Sequence, residues 1–381
     1  MIPTWVDSGR LILNAGDCGR LARVFAKAAR GEQIVIGALG GSITEGAGAS
    51  DGRKWSDIVA DWFRAKFPQS RIEARNAGIG ATGSLLGALR ISRDLGDSLD
   101  FVTIDFCVND KPGDSCEETM EGCVRQLLEA RDEPAVALVG FVTCDGRSVQ
   151  NRHLAVARHY GLPFLSVKEC IWPAMESGAA QWGDWSDDNV HPHKRGHEIA
   201  GELVSGWLDG RLADWKNGRL GDGTAAVPEK RVFGDSFENG RIFRPVDCAS
   251  HCDGFSVATV GGRWAGALVA EMPDAKVRFE VDGTVVTLVH WRQMGPNGRV
   301  RVSIDGREVA VLEGWFDATW GGYAHATTVW RGSGGRHAVD VEVLSDCAKE
   351  AAGHRFSICA IGVSGPAFHK EKQSNGTDGN S

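Results

Sequence analysis

Three polar stretches, far apart along the chain, hold side chains that together could move an acyl group. Ser42 closes Gly40-Gly41-Ser42 at the end of the apolar run Ile34-Val35-Ile36-Gly37-Ala38-Leu39. A serine hydroxyl becomes an effective nucleophile only when a base takes its proton. Asp188 and His191 stand on one polar loop, residues 182–193, close enough for the carboxylate to hold the Nδ1 proton. Nε2 is then free to face a hydroxyl, the division of labour of a Ser-His-Asp triad. Asn109 follows a second apolar run, residues 101–108. Its amide N–H₂, a backbone N–H from the loop at residues 78–84 and the Ser42 N–H could hold an oxyanion. Each piece alone also reads as ordinary turn chemistry: a Gly-Gly-Ser turn with a capping serine, a surface Asp-x-x-His, an Asn-Asp turn. Asp187 is a second candidate beside Asp188.

These groups can meet only if the elements between them bring the ends of separate strands to one edge. Buried-strand patterns lie at residues 33–39, 101–108, 135–143 and 163–167, with a shorter polar strand at 71–75. Between them run helical patterns. The first, residues 11–29, has Asn14 or Asp17 as its cap, and the others cover 55–67, 85–91, 117–130, 153–160 and 196–207. Strand and helix alternate for about two hundred residues, which predicts an α/β fold, a three-layer doubly wound parallel sheet. Ligands of such sheets bind beyond the carboxyl ends of the strands, where Ser42 and Asn109 fall.

Past Trp207 the text turns polar and Gly-rich, and from about residue 225 the apolar period becomes two. Strand patterns follow at residues 276–281, 285–291, 299–304, 308–312, 324–330, 337–344 and 356–363, with Asp305-Gly306 as a hairpin signal. They predict an all-β sandwich, jelly-roll-like. The expected division is residues 1–224, a catalytic domain; 225–368, a β-sandwich; and 369–381, a disordered tail.

Four of these stretches match sequence blocks of one family, in its order. Gly40-Gly41-Ser42-Ile43-Thr44 resembles the G-G-S-I-T form of the first block of the SGNH hydrolases, also called GDSL esterases and lipases. Asn76-Ala77-Gly78-Ile79-Gly80 resembles the second, Val108-Asn109-Asp110 the third and Asp188-Asn189-Val190-His191-Pro192 the fifth. The resemblance covers about residues 32–208. It implies Ser42 as nucleophile, His191 as base and Asp188 as its partner. The Ser42 N–H, Asn109 and a loop N–H would form the oxyanion hole, the last from Gly80 or, without a gap, from Ala81. Val108 stands where the family often has glycine. No metal or organic cofactor is expected.

The net charge of −8 argues against nucleic acid or an anionic membrane as partner, and no apolar run is long enough to span a bilayer. The ten cysteines are scattered without a C-x-x-C pair or zinc spacing, and the amino terminus lacks a signal-peptide pattern. A cytoplasmic protein is expected, and a homodimer is compatible with the sequence. Thirteen tryptophans against two tyrosines provide indole faces suited to sugar rings. Trp182 and Trp185 share the loop of Asp188, and Trp315, Trp320 and Tyr323 crowd one stretch of the sandwich. They are the expected sugar-binding residues, with Asp317 a loop acid that leaves calcium open. The sandwich is similar in outline to carbohydrate-binding modules on bacterial carbohydrate acetylesterases, including the type that acts on mannan fragments. This implies removal of O-acetyl groups from oligosaccharides. A lipid or aryl ester hydrolase and a non-catalytic sugar-binding protein are the alternatives.

Overall fold

The computed structural model describes residues 2–113, 115–223, 226–318 and 320–366. The first half lays out β1 (Ile12–Asn14), α1 (Gly19–Ala29), β2 (Ile34–Gly40), α2 (Ser42–Glu45), α3 (Trp55–Lys66), β3 (Ile72–Gly78) and α4 (Ser84–Leu95). It continues with β4 (Phe101–Asp105), α5 (Cys116–Leu128), β5 (Ala135–Gly140), α6 (Gln150–His159), β6 (Phe164–Ser166), α7 (Val167–Glu176) and α8 (Lys194–Lys216). The strand order is β1-β6-β5-β4-β2-β3. Strands β2 to β6 pair parallel, whereas β1 joins the edge antiparallel to β6, so the sheet is mixed. One face packs with α1, α3 and α8 through Phe25, Phe63, Leu203 and Trp207; the other packs with α4, α5 and α6 through Leu95, Met120, Leu127 and Val156.

Several boundaries differ from the periodicity. The helix expected over residues 11–29 begins only at Gly19, and Asp17 Oδ1 accepts the Gly19 N–H at 2.7 Å. Asn14 instead donates to Leu162 O, tying β1 to the chain before β6. β3 runs on through Asn76 to Gly78, because pairing with β2 continues to Gly40↔Gly78 despite a polar sequence. α8 continues past Trp207 to Lys216: Leu208 and Leu212 extend its apolar stripe, and Trp215 reaches Phe25 at 6.0 Å between ring centroids. α7, outside the expected helices, follows β6 directly and carries Pro173 in its interior, a residue that argues against a helix in the sequence.

The second half contains β7 (Arg241–Phe243), α9 (Pro245–Cys248), β8 (Ala249–Asp253), β9 (Phe255–Val260), β10 (Trp264–Ala270), β11 (Lys276–Asp282) and β12 (Val285–Arg292). There follow β13 (Arg299–Ile304), β14 (Arg307–Glu313), β15 (Tyr323–Arg331), β16 (Arg336–Val343) and β17 (Phe356–Ser364). One antiparallel sheet has the order β15-β12-β17-β10-β9, with β7 on β17; the other is β14-β13-β16-β11-β8. Val277, Phe279, Leu288, Val302, Val341 and Phe356 fill the space between the two sheets. Asp305 and Gly306 both have positive φ, 52° and 79°, as a two-residue type I′ hairpin requires. The expected boundary at 224 and 225 and the tail at 369–381 lie outside the described residues.

The two halves share buried apolar surface. Ile79 and Leu86 of the α/β half pack in one cluster with Val260, Trp264, Ala267, Val289 and Cys359 of the sandwich. Gly362 lies so close to Leu89 that a side chain there would collide with it. The Glu121 carboxylate accepts the N–H groups of Val232, Phe233 and Gly234 at 2.7–3.0 Å, which fixes the connecting segment on α5.

Candidate active site

The strand order explains how distant residues meet. β2 lies between β3 and β4, and Gly40 pairs with Gly78 on one side and Asp105 on the other. The three turns that follow therefore stand side by side at the carboxyl edge. Ser42 is central, the loop of Gly80 is on one flank and Asn109 on the other. Gly41 has to lack a side chain, since a Cβ there would collide with the Asn109 carboxamide. A Cβ at Gly80 would lie 3.9 Å from Ser42 Cβ, so that loop stands directly against the serine. Ala81 next to it has φ 56°, a left-handed turn.

The loop of Asp188 comes from the far side of the sheet and completes the line. His191 Nε2 is 2.9 Å from Ser42 Oγ, and Nδ1 is 2.6 Å from Asp188 Oδ2. An ionised carboxylate can only accept, so Nδ1 carries the proton and the Ser42 hydroxyl donates to Nε2. Asp188 Oδ1 accepts the N–H groups of Val190 and His191, both at 2.7 Å. Partial burial opposes ionisation of Asp188, but the bonds from the His191 backbone and ring and from Val190 outweigh it and hold its pKa below the ordinary value. Asp187 makes no such contact in the described structure, and the pairing falls to Asp188.

The loop is held from behind. Ser186 Oγ donates to His191 O at 2.6 Å, Ser186 bridges Pro192, and His193 Nδ1 accepts the Gly196 N–H at 3.0 Å as α8 begins. Gly48, at φ 87°, lets the chain after α2 pass under the loop; a Cβ there would collide with Pro192 O. His197 Nε2 donates to Ala47 O at 3.0 Å in the same region.

Buried polar groups outside the expected site residues brace the turns around Ser42 and Asn109. Asp110 accepts from Ser84 N at 2.8 Å and from Ser84 Oγ at 2.6 Å, and lies 2.9 Å from His153 Nε2. These bonds tie the Asn109 turn to α4 and α6. Beneath Ser42, the Asp105 carboxylate accepts from Thr44 Oγ1 at 3.2 Å, and its burial raises its pKa to about 7. Arg90, fully buried on α4, donates to Ala77 O at 2.6 Å and Gly40 O at 2.9 Å, capping the ends of β3 and β2. The strand-end dipeptide Asn109-Asp110 was the one available signal for Asp110; Asp105, His153 and Arg90 carry none at short range.

The expected sugar-binding residues divide. Trp185 is only 1% exposed and packs on Phe141 in the core, so its assignment to substrate contact is corrected: it anchors the loop of Asp188 and His191. Trp182 is half-buried, meets Trp172 edge to face and donates to Asp188 O, so it too braces that loop. In the sandwich, Trp320 is 61% exposed and forms an aromatic cluster with Phe316 and Tyr323. Trp315 is half-buried beside them. Tyr323 leads along β15 to His325, whose pKa falls to about 4 through burial and the charges of Arg292 and Lys111. A cavity of about 500 Å³ between the halves is lined by Asn76, Arg93, Arg244, Arg263 and Trp264, and not by Ser42, Asp188 or His191.

A hydrogen-bonded line from hydroxyl to imidazole to carboxylate, beside N–H donors, is equipped for attack on a carbonyl carbon. The GDSL-like Lipase/Acylhydrolase family model matches residues 38–199. No curated protein matches the chain. Among solved structures, the chain is similar to a two-domain esterase active on acetylated mannans, co-crystallised with mannopentaose. The two are 28% identical, with 96% of this chain and 99% of that one covered and a TM-score of 0.86. A second structure of a two-domain esterase active on acetylated mannans is 27% identical, covering 96% of this chain and 100% of that one, with a TM-score of 0.85.

Proposed function

We propose that this carboxylic ester hydrolase, whose α/β half matches the GDSL-like acylhydrolase model, removes O-acetyl groups from oligosaccharides through an acyl-serine intermediate, with mannan fragments as the favoured class. The observation that carries the mechanism is the Ser42–His191–Asp188 line, with separations of 2.9 and 2.6 Å. His191 Nε2 takes the hydroxyl proton as Ser42 Oγ bonds to the acetyl carbon. The carbonyl π electrons move onto oxygen, and that oxyanion is held by the Ser42 N–H, the Asn109 amide and an N–H of the Gly80 loop. Asp188 stabilises the imidazolium and keeps its orientation. The tetrahedral intermediate collapses, the bond to the sugar oxygen breaks, and His191 delivers its proton to that oxygen. Water then attacks the acetyl-serine by the same route, releasing acetate and restoring Ser42.

The substrate class is supported by similarity to an esterase active on acetylated mannans that extends over both halves of the chain. The exposed Trp320 and its neighbours Phe316 and Tyr323 provide a face on which a sugar ring could stack. The test is acetate release from acetylated manno-, xylo- and cello-oligosaccharides by the wild type and Ser42→Ala. We expect release selective for manno-oligosaccharides and absent in the variant. Turnover of simple activated esters but of none of the sugars would keep the mechanism and reject the carbohydrate assignment.

A further inference from the structure

The α/β half carries the whole Ser42–His191–Asp188 line, yet one side chain of the sandwich reaches its oxyanion side. Arg263 lies in the turn between β9 and β10, where Val260 pairs with Trp264. Its Nη1–H donates to Gly78 O at 2.9 Å, and its Nη2–H to Glu45 Oε1 at 2.5 Å. Both partners belong to the site. Gly78 ends β3, two residues before Gly80. Glu45 closes the short helix that Ser42 opens, and a Cβ at Gly80 would lie 2.9 Å from its other carboxylate oxygen, Oε2.

Two further contacts make this a bracing point. The peptide whose carbonyl Arg263 holds carries the Ile79 N–H, which donates to Gly40 O at 3.1 Å, just before the nucleophile turn. Arg90 caps Ala77 O and Gly40 O next to it. The turn that presents Arg263 is itself fixed. Gly261 abuts the Trp291 ring, and Trp264 is 4% exposed with Arg93 over its ring at 5.1 Å.

We propose that Arg263 is a positioning residue contributed by the sandwich. It holds the Gly78–Ile79–Gly80 backbone and the Glu45 end of α2 in the relative placement that the oxyanion needs. The second half of the chain would thus set the rate of acyl transfer itself, in addition to any contact with sugar. The Arg263 and Glu45 side chains are 43% and 37% exposed, and ion pairs this open contribute little to stability. Rate and stability should therefore separate. The inference rests on the serine-esterase reading above.

The experiment uses the full chain and 4-nitrophenyl acetate, which needs no sugar subsite. Arg263→Met should lower kcat roughly 10- to 100-fold, the scale of a small misplacement of catalytic groups, with KM changed less than about twofold. Its thermal midpoint should move by less than about 4 °C. Arg263→Lys, which keeps one charged donor, should recover part of kcat, and Glu45→Gln should lower it in the same sense. An active wild type with unchanged kcat in Arg263→Met would overturn the inference alone. So would a kcat loss matched by a large fall in thermal midpoint and not relieved by lysine. A wild type inactive on 4-nitrophenyl acetate would overturn the esterase reading, and this inference with it.

Discussion

At the scale of the residue, the proposed chemistry rests on a few hydrogen bonds whose direction is fixed by what each atom can donate. Asp188 accepts three of them, from the N–H groups of Val190 and His191 and from the imidazole. Oδ1 is thus occupied by backbone while Oδ2 orients the ring. Asp188→Asn would preserve the shape, yet its amide N–H₂ cannot accept the Nδ1 proton; kcat should fall by about 10⁴, as for loss of the correct tautomer elsewhere. Asn109→Ala removes one oxyanion donor without touching the base, and kcat should fall about 10²–10³-fold with KM little altered. Steady-state kinetics on an activated acetate, beside a thermal midpoint for each variant, checks both. An Asn109 variant with a raised KM and unchanged kcat would assign that side chain to ground-state binding instead.

At the scale of the element, the site is made by turns with no room to spare. Gly41 admits the Asn109 side chain, and Gly48 admits the catalytic loop, adopting a φ of 87° that L side chains rarely take. Gly48→Ala combines a strained backbone with a collision at Pro192 O, and its Cβ would also stand 3.2 Å from His191 Cβ. The loop is the part that can yield, since Asp188 and His191 are 55% and 27% exposed while α8 behind them is packed in the core. The expected result is a fall in kcat of at least about tenfold, since displacing a catalytic group by even 1 Å can cost about 10²-fold. Backbone strain alone costs only about 1–2 kcal/mol of stability, so the folded protein should persist. Kinetics and a thermal melt on the variant decide it, and an unchanged kcat would show that the loop tolerates the shift.

At the scale of the molecule, the two halves are joined through a common apolar cluster, and the largest histidine part of the acid response should come from the sandwich, beside a smaller one from buried His197. His290 is 1% exposed, stacked on Phe356, with Nε2 3.1 Å from Glu313 O; burial and the neighbouring His325 lower its pKa to about 3. His325 falls to about 4. A depressed histidine is neutral in the fold and charged in the unfolded chain below about 6.5. Its contribution to stability is therefore full above that pH and is lost as the pH drops through 6.5 toward the folded values. Asp105 runs the opposite way: with its pKa raised to about 7, its contribution is full below 3.8 and is lost as the pH rises through about 7. The histidine part is isolated by comparing the wild type with His290→Phe. The thermal midpoint of the variant should fall several degrees less between pH 7 and pH 4, whatever its absolute value. Parallel curves would show that His290 does not govern the acid limb.

The sequence by itself determined which residues make up the proposed catalytic line and where most regular elements run. Gly-Gly-Ser after a β-branched run, Asp-x-x-His on a polar loop and Asn-Asp after a buried strand are local patterns. The hydrogen bonds they imply within the Asp188–His191 loop are local as well. Period-two runs and Asp305-Gly306 likewise identified seven strands of the sandwich, because alternation and turn chemistry act between near neighbours. Strands β7 to β10 lie outside those runs: β8 and β9 are largely exposed, and pairing rather than an apolar alternation makes them strands. Only the tertiary structure decided that β2 lies between β3 and β4, so that Ser42 stands between its two sets of donors. It alone put Trp185 in the core, Asp110 against His153 and Arg263 on Gly78, contacts of long sequence separation that no periodicity encodes. The physical reason is the same throughout: a side chain's type limits what it can bond, but which partner it meets is set by how separate strands and sheets pack.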